Sequence, residues 1–482
     1  MPAAATERRQ NRRERMRQPI LGRSIAVTDG SHVVAASTVL AVAATGTVTW
    51  RVRARSAVAG ASPEALVLAV AVPIIFIHLR YQPKFHVAAG STTVGVELSD
   101  LAVLAVVAAA GVAGVRRAWA PLRRGRALWI ASALYFAWIG LEILIPRGSA
   151  GYPTATHAVT AAKFFEYALL APALVLIVRT RADLRPLVAT FTAWSALASA
   201  VGLAQFFGAN IFVSGRTGGR QLSFLGFHDF AALSAAALLL GVAAIVLPQL
   251  AVGRRVAWVA AISGCVGVIL SAAVAAVIGI AVAALALAAM LARRRVGHVR
   301  SAAAATVLVT VALVGALAMR STDLGQYLGF LQTHEHQSNV ETYAHRTVLA
   351  YIGYRIWRDH PLAGVGWEAS GDPSRFLRYV PAARRKFPSE PALAFPSSTR
   401  RYGVQNFYVQ HLADLGLVGL ALLALVFGCA LALAGGGGGG LGATLAVLWI
   451  LLLGGLWLSE GIVAGLPIDA LTWLSFGLSA RG

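Results

Sequence analysis

The stretch Ala273-Val-Ala-Ala-Val-Ile-Gly-Ile-Ala-Val-Ala-Ala-Leu-Ala-Leu-Ala-Ala-Met-Leu-Ala292, followed at once by Arg293-Arg-Arg295, decides the class of fold. It carries no charge, and roughly 20 apolar residues are what a helix needs to cross the hydrocarbon core of a bilayer. Such runs recur along the 482-residue chain, of which 57% is hydrophobic and 13% charged. The sequence therefore predicts an all-α polytopic membrane protein with about 12 to 13 transmembrane helices.

The apolar runs set both the predicted spans and the predicted domain organisation. We expect transmembrane helices over 33–50, 64–79, 99–115, 127–145, 160–178, 185–207, 228–248, 256–271, 273–292, 302–319, 406–434, 441–458 and 463–479. The chain then divides into four parts: a basic N-terminal arm at 1–31, an N-terminal transmembrane bundle at 32–319, a large polar loop at 320–405, and C-terminal transmembrane helices at 406–482.

The arginines account for the net charge of +22 and fall in short clusters at the ends of spans. This distribution orients helices in a membrane, whereas a basic patch on one soluble face would indicate a nucleic-acid partner, which we do not expect. Arg116-Arg117, Arg254-Arg255 and Arg293-Arg-Arg295 mark cytoplasmic loops. The loops on the other side, including 320–405, are then extracytoplasmic, away from ATP and nucleotide sugars.

The N-terminal region does not fit one orientation. The arm before Arg23 and the cluster Arg51-Val-Arg-Ala-Arg55 both favour the cytoplasm, although only one apolar run, 33–50, separates them. The topology of 1–63 therefore stays open. The arm lacks a small-residue cleavage site after a short apolar stretch, so we interpret it as retained at the anionic inner leaflet, in contact with membrane lipids.

Cysteine usage argues against redox or thiolate-metal chemistry. Cys265 and Cys429 are the two cysteines of the chain, and both lie inside apolar spans. A disulfide framework and a thiolate metal site are thus not expected.

The large loop contains an amphipathic helix, predicted over 340–359. Its apolar positions recur at intervals of three and four residues, at Leu349, Ile352 and Ile356. It should end near His360, because the residue before Pro361 disfavours helical geometry. Such a helix is expected to lie along the membrane interface or to cap a cavity between spans.

Charged residues on this helix are the first candidates for chemistry. His345 falls on the apolar stripe and Arg346 flanks it, whereas Arg355 and Arg358 project from the other side, because each residue turns an α-helix by about 100°. For Arg355 and Arg358, contact with lipid headgroups is the competing interpretation. Glu341 lies at the start of the same helix.

A second charged segment runs from a loop directly into an apolar span: Arg216-Thr-Gly-Gly-Arg220-Gln-Leu-Ser-Phe-Leu-Gly-Phe-His228-Asp229. Charge at the mouth of a span must be solvated or paired. An arginine fork holds phosphate oxygens bidentately, and the N-terminus of a helix adds donors for the same anion. A diphosphate at the outer leaflet is an apt ligand, although Asp229 could equally be an N-cap and His228 an interfacial residue.

Together these segments resemble the O-antigen ligase and O-antigen polymerase superfamily of lipid-linked glycan transferases. The resemblance covers about 95–480 in topology and rests on three strings: Arg220-Gln-Leu-Ser-Phe-Leu-Gly-Phe-His-Asp-Phe-Ala-Ala232, Arg346 with the later His360-Pro-Leu-Ala-Gly-Val-Gly366, and Gln405-Asn406-Phe-Tyr-Val-Gln-His-Leu-Ala-Asp-Leu-Gly-Leu-Val-Gly419.

The resemblance implies a multi-helix glycosyltransferase fold of the C superclass. High Ala, Val, Gly and Arg usage is compatible with a bacterial source, so we expect a bacterial plasma membrane. The resemblance also implies a donor glycan on a polyprenyl diphosphate, an acceptor that is a glycan, a lipid or a protein, and transfer without a cofactor or an obligatory metal. Arg220 and Arg346 would then hold the diphosphate and stabilise its developing charge, with His345 and Glu341 as further catalytic candidates. The remaining predicted contacts with substrate are Arg216, His228, Arg355, Arg358, His360, Gln405, Asn406 and Tyr408.

The chain departs from the family at Gln405, where the family has a histidine usually offered as the base for the acceptor hydroxyl. Glutamine takes no proton at neutral pH. The nearby candidates for a base are His345, Glu341, His334, His336 and Asp414, of which a histidine is best placed by its usual pKa. Alternatively, clamping of the leaving diphosphate by arginines would make a strong base unnecessary.

Two other classes of function stay open at this point. A lipid flippase or solute carrier would also have many spans, and it would need ionisable residues at mid-bilayer and discontinuous helices. Glu142, Lys163 and Glu166 are the main such residues. A non-enzymatic scaffold for envelope assembly would leave Arg220 and Arg346 replaceable. The sequence does not separate ligase from polymerase, nor does it identify the sugar.

Overall fold

The computed structural model of this chain describes residues 60–89, 92–146, 152–215, 217–247, 250, 252–294, 299–325, 328, 341–436, 440–460 and 467–481. The predicted basic arm and the span 33–50 lie outside the described residues. The same is true of three candidate site residues, Arg216, His334 and His336.

Ten helices precede the large loop within the described residues. They are α1 (Pro63–Ile75), α2 (Leu98–Val115), α3 (Arg126–Leu144), α4 (Thr154–Ala168), α5 (Leu170–Ile177), α6 (Arg181–Phe206), α7 (Phe227–Val246), α8 (Arg254–Ser271), α9 (Val274–Arg294) and α10 (Val299–Ala318). The loop contributes α11 (Glu341–Asp359), α12 (Pro373–Phe376) and α13 (Val380–Lys386), and the chain continues with α14 (Phe407–Gly436), α15 (Leu441–Leu456) and α16 (Pro467–Arg481).

The helices confirm the predicted all-α polytopic membrane protein. In the described part of the chain, nine helical segments are long and apolar enough to cross a membrane, and α1 and α15 are shorter apolar helices. Each predicted span from 64–79 onward is helical over most of its length. The span predicted at 160–178 is built from two consecutive helices, α4 and α5.

α7 forms the centre of the transmembrane bundle, and nearly all of its residues are buried. It packs closely against α8 because two glycines remove side chains from the contact. A Cβ added at Gly241 would lie 2.3 Å from the Ala261 nitrogen, and one at Gly264 would lie 2.3 Å from the Leu238 nitrogen. Small residues of this kind let membrane helices approach to backbone contact. The N-terminus of α7, which carries His228, is thus a fixed point of the fold.

A β-hairpin between α1 and α2 is absent from the sequence prediction. β1 (Lys84–Ala89) and β2 (Thr92–Glu97) pair antiparallel, with Phe85 opposite Val96. The strands are too short and too polar to resemble a membrane span, and only their alternation of apolar and polar residues indicates a hairpin.

The loop between α10 and α14 has its own hydrophobic core beneath α11. The predicted stripe is buried there, since Val348, Ile352 and Ile356 are each at most 2% exposed. They pack with aromatic residues from the rest of the loop and with Ala413 of α14, in one cluster that includes Phe376, Tyr379, Phe387 and Phe395. α11 therefore caps the loop and the start of α14 with its apolar face, instead of resting that face on lipid.

The turn 361–366 after α11 inserts into a break in α14. At Gly416 the backbone of α14 leaves helical geometry, with φ 66° and ψ −167°. The carbonyls of Pro361 and Leu362 accept the N–H groups of Leu417 and Val418, at 2.9 and 3.1 Å, and the N–H groups of Val365 and Gly366 donate to the carbonyls of Ala413 and Asp414, at 3.0 and 2.9 Å. These bonds satisfy backbone groups that the break would otherwise leave unpaired in an apolar setting.

Candidate active site

The candidate site is centred on Arg346, on the face of α11 that meets α7 and α14. Its Nε donates to Gln405 Oε1 at 3.1 Å, and its Nη2 donates to His228 Nε2 at 3.3 Å. Two of the strings that carry the family resemblance thus contact the arginine that heads the third. These three residues come from segments far apart in the sequence, so the contact is a product of the tertiary fold.

Glu460 completes this group, which we call the Arg346 cluster: Arg346, His228, Gln405 and Glu460. His228 Nδ1 is in direct contact with Glu460 Oε1. Because Nε2 accepts from Arg346, the proton of a neutral His228 ring is assigned to Nδ1, facing the carboxylate. The His228 side chain is 31% exposed and that of Glu460 14%, so the ring remains within reach of a ligand.

The start of α14 fixes the position of Glu460 through the end of α15. Asn406 is the N-cap of α14, with its Oδ1 accepting from Val409 N–H at 3.0 Å and its Nδ2 donating to the Leu458 carbonyl at 3.0 Å. The Tyr408 hydroxyl donates to the Gly454 carbonyl at 2.7 Å. Asn406 and Tyr408, predicted as substrate contacts, thus hold the segment that leads to Glu460.

Arg220 reaches the same end of α7 by another route. Its Nε donates to the Ser271 carbonyl at 2.8 Å, at the C-terminus of α8, where a cation is favoured by the helix dipole. Its guanidinium lies 4.3 Å from the centre of the Phe227 ring, which directly precedes His228. Arg220 and Arg346, the two arginines predicted to hold a diphosphate, therefore contact the first two residues of α7.

The first turn of α7 supports an anion site in part. The helix begins at Phe227 with Gly226 as its N-cap, so the alternative that Asp229 is the N-cap is wrong. Asp229 lies inside the first turn and is buried. The leading N–H groups of a helix have no partner within the helix and favour an anion. The carboxylate of Glu460 offsets part of the positive charge that the two arginines bring.

His345 and His360 face the interior of the loop. His345 Nδ1 donates to the Ala394 carbonyl at 2.8 Å, and its ring meets that of Tyr402 edge-on at 4.4 Å. Burial, helped by the charges of Arg346 and Arg400, lowers its pKa. His360 Nε2 accepts from Arg378 at 2.7 Å, and burial together with that cation lowers its pKa. Both histidines connect α11 to the segments that follow it.

Arg355 and Arg358 lie too far along α11 to share one anion with Arg346. At 1.5 Å per residue they are displaced from it by about 14 and about 18 Å along the helix axis. Arg358 is exposed and Arg355 is half-buried. The side chain of Glu341, the first residue of α11, lies outside the described residues.

Asp414, a candidate base, and the neighbouring His411 are both committed to contacts between helices. His411 is fully buried, with its Nε2 2.5 Å from the Tyr135 hydroxyl and its Nδ1 3.1 Å from the Phe407 carbonyl. Asp414 is also fully buried, and its Oδ1 accepts from Ser370 N–H at 2.7 Å. Among the described residues, no group of three or more His, Cys, Asp or Glu could hold a metal ion.

Glu460 is the functional candidate that the sequence reasoning missed. It lies in the short connection between the apolar runs 441–458 and 463–479, and an ionisable residue at such a position is itself a signal for function. His228 was predicted as a substrate contact, but its pairing with a carboxylate could not be inferred from a sequence in which 232 positions separate the two.

Comparison with known families supports the resemblance. A family model described as O-antigen ligase matches residues 259–424, from within α8 to the middle of α14. The matched region contains Arg346, the turn 361–366 and Gln405, whereas Arg220, His228 and Glu460 lie outside it. A search among curated proteins finds no match. The predicted resemblance to the O-antigen ligase superfamily is confirmed, and with it an O-antigen ligase-like role in membrane glycan transfer.

Proposed function

Starting from its O-antigen ligase-like role in membrane glycan transfer, we propose that this protein moves a glycan from a polyprenyl diphosphate to an acceptor hydroxyl at the extracytoplasmic face of a bacterial plasma membrane. One observation carries the proposal: Arg220 and Arg346, from different parts of the chain, both contact the first turn of α7. Two guanidinium groups beside a helix N-terminus are well suited to a diphosphate.

The reaction is a single displacement at the anomeric carbon of the lipid-linked glycan. The bond from that carbon to the diphosphate oxygen breaks, the electron pair stays on the diphosphate, and the acceptor oxygen forms the new bond. Arg220 and Arg346 stabilise the charge that develops on the leaving diphosphate. Removing one charge-stabilising donor typically costs about 2.7 to 4 kcal/mol in the transition state, which corresponds to about 10²- to 10³-fold in kcat.

The test is release of polyprenyl diphosphate by the purified, detergent-solubilised protein, given polyprenyl-diphosphate-linked glycans extracted from its source membrane, with and without acceptor. We expect acceptor-dependent release that falls by about 10²- to 10³-fold in Arg346→Ala and in Arg220→Ala. Arg385→Ala is the matched control, because Arg385 is an exposed arginine of α13 in the same loop and is not a predicted contact with substrate. Equal turnover in all four proteins would remove the proposal.

The same experiment decides between the two forms of the reaction and addresses the rival transporter. A lengthened lipid-linked glycan identifies a polymerase, and a glycan joined to a lipid core or protein identifies a ligase. The break in α14 at Gly416 is a feature that a transporter would share. Because backbone groups of the turn 361–366 occupy that break, it does not favour transport. Tight binding of the lipid without turnover would nevertheless support a flippase.

A further inference from the structure

We propose that His228, oriented by Glu460, takes the proton of the acceptor hydroxyl, the role that Gln405 cannot perform. This inference rests on the proposed function and assigns the base for the same reaction. Glu460 acts through His228 and is therefore a positioning residue.

The geometry of the ring supports this role. A histidine can accept a proton at one nitrogen only if the other nitrogen holds its hydrogen, and a carboxylate on the second nitrogen fixes that tautomer. In His228 the carboxylate of Glu460 lies against Nδ1, which leaves Nε2 as the basic nitrogen. Nε2 is directed at the Arg346 guanidinium, which in turn contacts Gln405. The basic nitrogen therefore faces the position at which the diphosphate is proposed to bind.

The imidazole ring of His228 lies beside Arg346 and can supply the histidine that the sequence lacks at position 405. Gln405 stands where the family histidine is expected, and its side chain shares the Arg346 guanidinium with His228. The other described histidines near α11 have different partners: His345 bonds to the Ala394 carbonyl and His360 accepts from Arg378. His228 is thus the described histidine whose ring contacts the predicted catalytic arginine.

Binding of the donor would make Nε2 available. The bond between Arg346 Nη2 and His228 Nε2, at 3.3 Å, is slightly longer than a typical N–H···N or N–H···O bond. A diphosphate attracts the guanidinium more strongly than a neutral imidazole does, because it carries negative charge and its oxygens can accept two parallel N–H bonds from the guanidinium fork. Arg346 then leaves His228 and binds the diphosphate. His228 Nε2 can now accept a hydrogen bond from the hydroxyl group of the acceptor.

As the acceptor oxygen bonds to the anomeric carbon, its proton passes to His228 Nε2, and the diphosphate leaves with the electron pair of the broken bond. The resulting imidazolium is stabilised by the Glu460 carboxylate, and His228 later returns the proton to solvent. The other charged groups at this end of α7 are Arg346 at Nε2, Arg220 over Phe227, Asp229 in the first turn, and Asp469 of α16, which acts on Asp229 together with Glu460.

The test compares His228→Gln and Glu460→Gln with the unmodified protein in acceptor-dependent release of polyprenyl diphosphate across pH 5 to 9. We expect His228→Gln to lower kcat by about 10²- to 10⁴-fold, the usual contribution of a general base, and to lose the ascending limb of the pH profile. Glu460→Gln should lower kcat less and shift that limb to lower pH, because an imidazolium beside Arg346 loses its carboxylate.

Two further measurements separate a lost base from a damaged fold. Azide attacks without losing a proton, so His228→Gln should release polyprenyl diphosphate with azide at close to the rate of the unmodified protein. The double variant His228→Gln/Gln405→His should recover part of the acceptor-dependent rate, because it restores an imidazole beside Arg346. The proposal is overturned if His228→Gln is equally slow with azide and acceptor, or if it keeps full activity and the ascending limb.

These outcomes are distinguishable from failure of the proposed function. If the unmodified protein releases no polyprenyl diphosphate, the transferase assignment fails and the assignment of a base fails with it. If the unmodified protein and the Arg385→Ala control are active while His228→Gln is unaffected, only the assignment of the base is wrong.

Discussion

The two ends of α11 are held in different ways. At its C-terminal end, the turn 361–366 enters the break in α14 through four backbone hydrogen bonds. At its N-terminal end, the contacts of Arg346 with Gln405 and His228 join side chains. Buried backbone N–H and carbonyl groups have no alternative hydrogen-bond partner, whereas a guanidinium can exchange a neutral partner for an anion. One end of the helix therefore fixes position, and the other presents groups that a ligand can reorganise.

The largest effect is expected from a substitution at the C-terminal end of α11, where the turn 361–366 enters the break in α14. Gly416→Ala should abolish folded protein and activity together, because a Cβ at this position would lie 2.1 Å from the Leu362 carbonyl oxygen, and the backbone at φ 66° and ψ −167° costs a non-glycine residue about 1 to 3 kcal/mol in addition. The measurement is the yield of monodisperse protein in detergent and its thermal unfolding.

A matched control is available on the same helix. Gly428 of α14 has open space around the position of a Cβ, so Gly428→Ala should leave yield and activity unchanged or slightly improved. A folded, active Gly416→Ala protein would contradict the view that the turn 361–366 requires the break in α14.

The next largest effect is a loss of activity, without unfolding, from a substitution at the N-terminal end of α11. Arg346→Lys keeps the positive charge but loses the planar fork that contacts Gln405 and His228 together. We expect kcat to fall by about 10-fold or more with an unchanged unfolding temperature, measured by polyprenyl diphosphate release and thermal unfolding. Arg385→Lys, at an exposed arginine of α13, serves as the control. Equal activity in the two variants would show that charge alone suffices.

The difference between the two ends of α11 also explains which features the sequence could predict. Apolar length determined the spans, and the 3.6-residue period determined α11 with its buried stripe, because each depends on local physical chemistry. Pro361 and the two glycines of the turn 361–366 indicated a tight turn, but not the break in α14 that it enters. That break depends on Gly416, which resembles any glycine in an apolar helix.

Only the members of the Arg346 cluster that belong to recognisable strings could be predicted from the sequence. Arg346, His228 and Gln405 each belong to such a string, whereas Glu460 belongs to none and is brought in by the contact between α14 and α15. The predicted roles of Arg220 and Arg346 in holding a diphosphate stay predictions. The hairpin of β1 and β2 was missed because its alternation extends over too few residues to compete with the signal of the neighbouring spans.

The smallest expected effect is a dependence of stability on pH that both ends of α11 share. Burial lowers the pKa of His345 and of His360 below the ordinary value of 6.5, with nearby arginines adding to the shift. Below pH 6.5 the unfolded chain binds protons that the folded loop does not, so stability is full above pH 6.5 and falls as the pH drops toward the lowered values. Thermal unfolding at pH 7.5 and 5.5 should show a decrease that is smaller in the double variant His345→Gln/His360→Gln. An unfolding temperature that rises on acidification would mean that these rings are charged in the folded loop, which would contradict the lowered pKa of His345 and of His360.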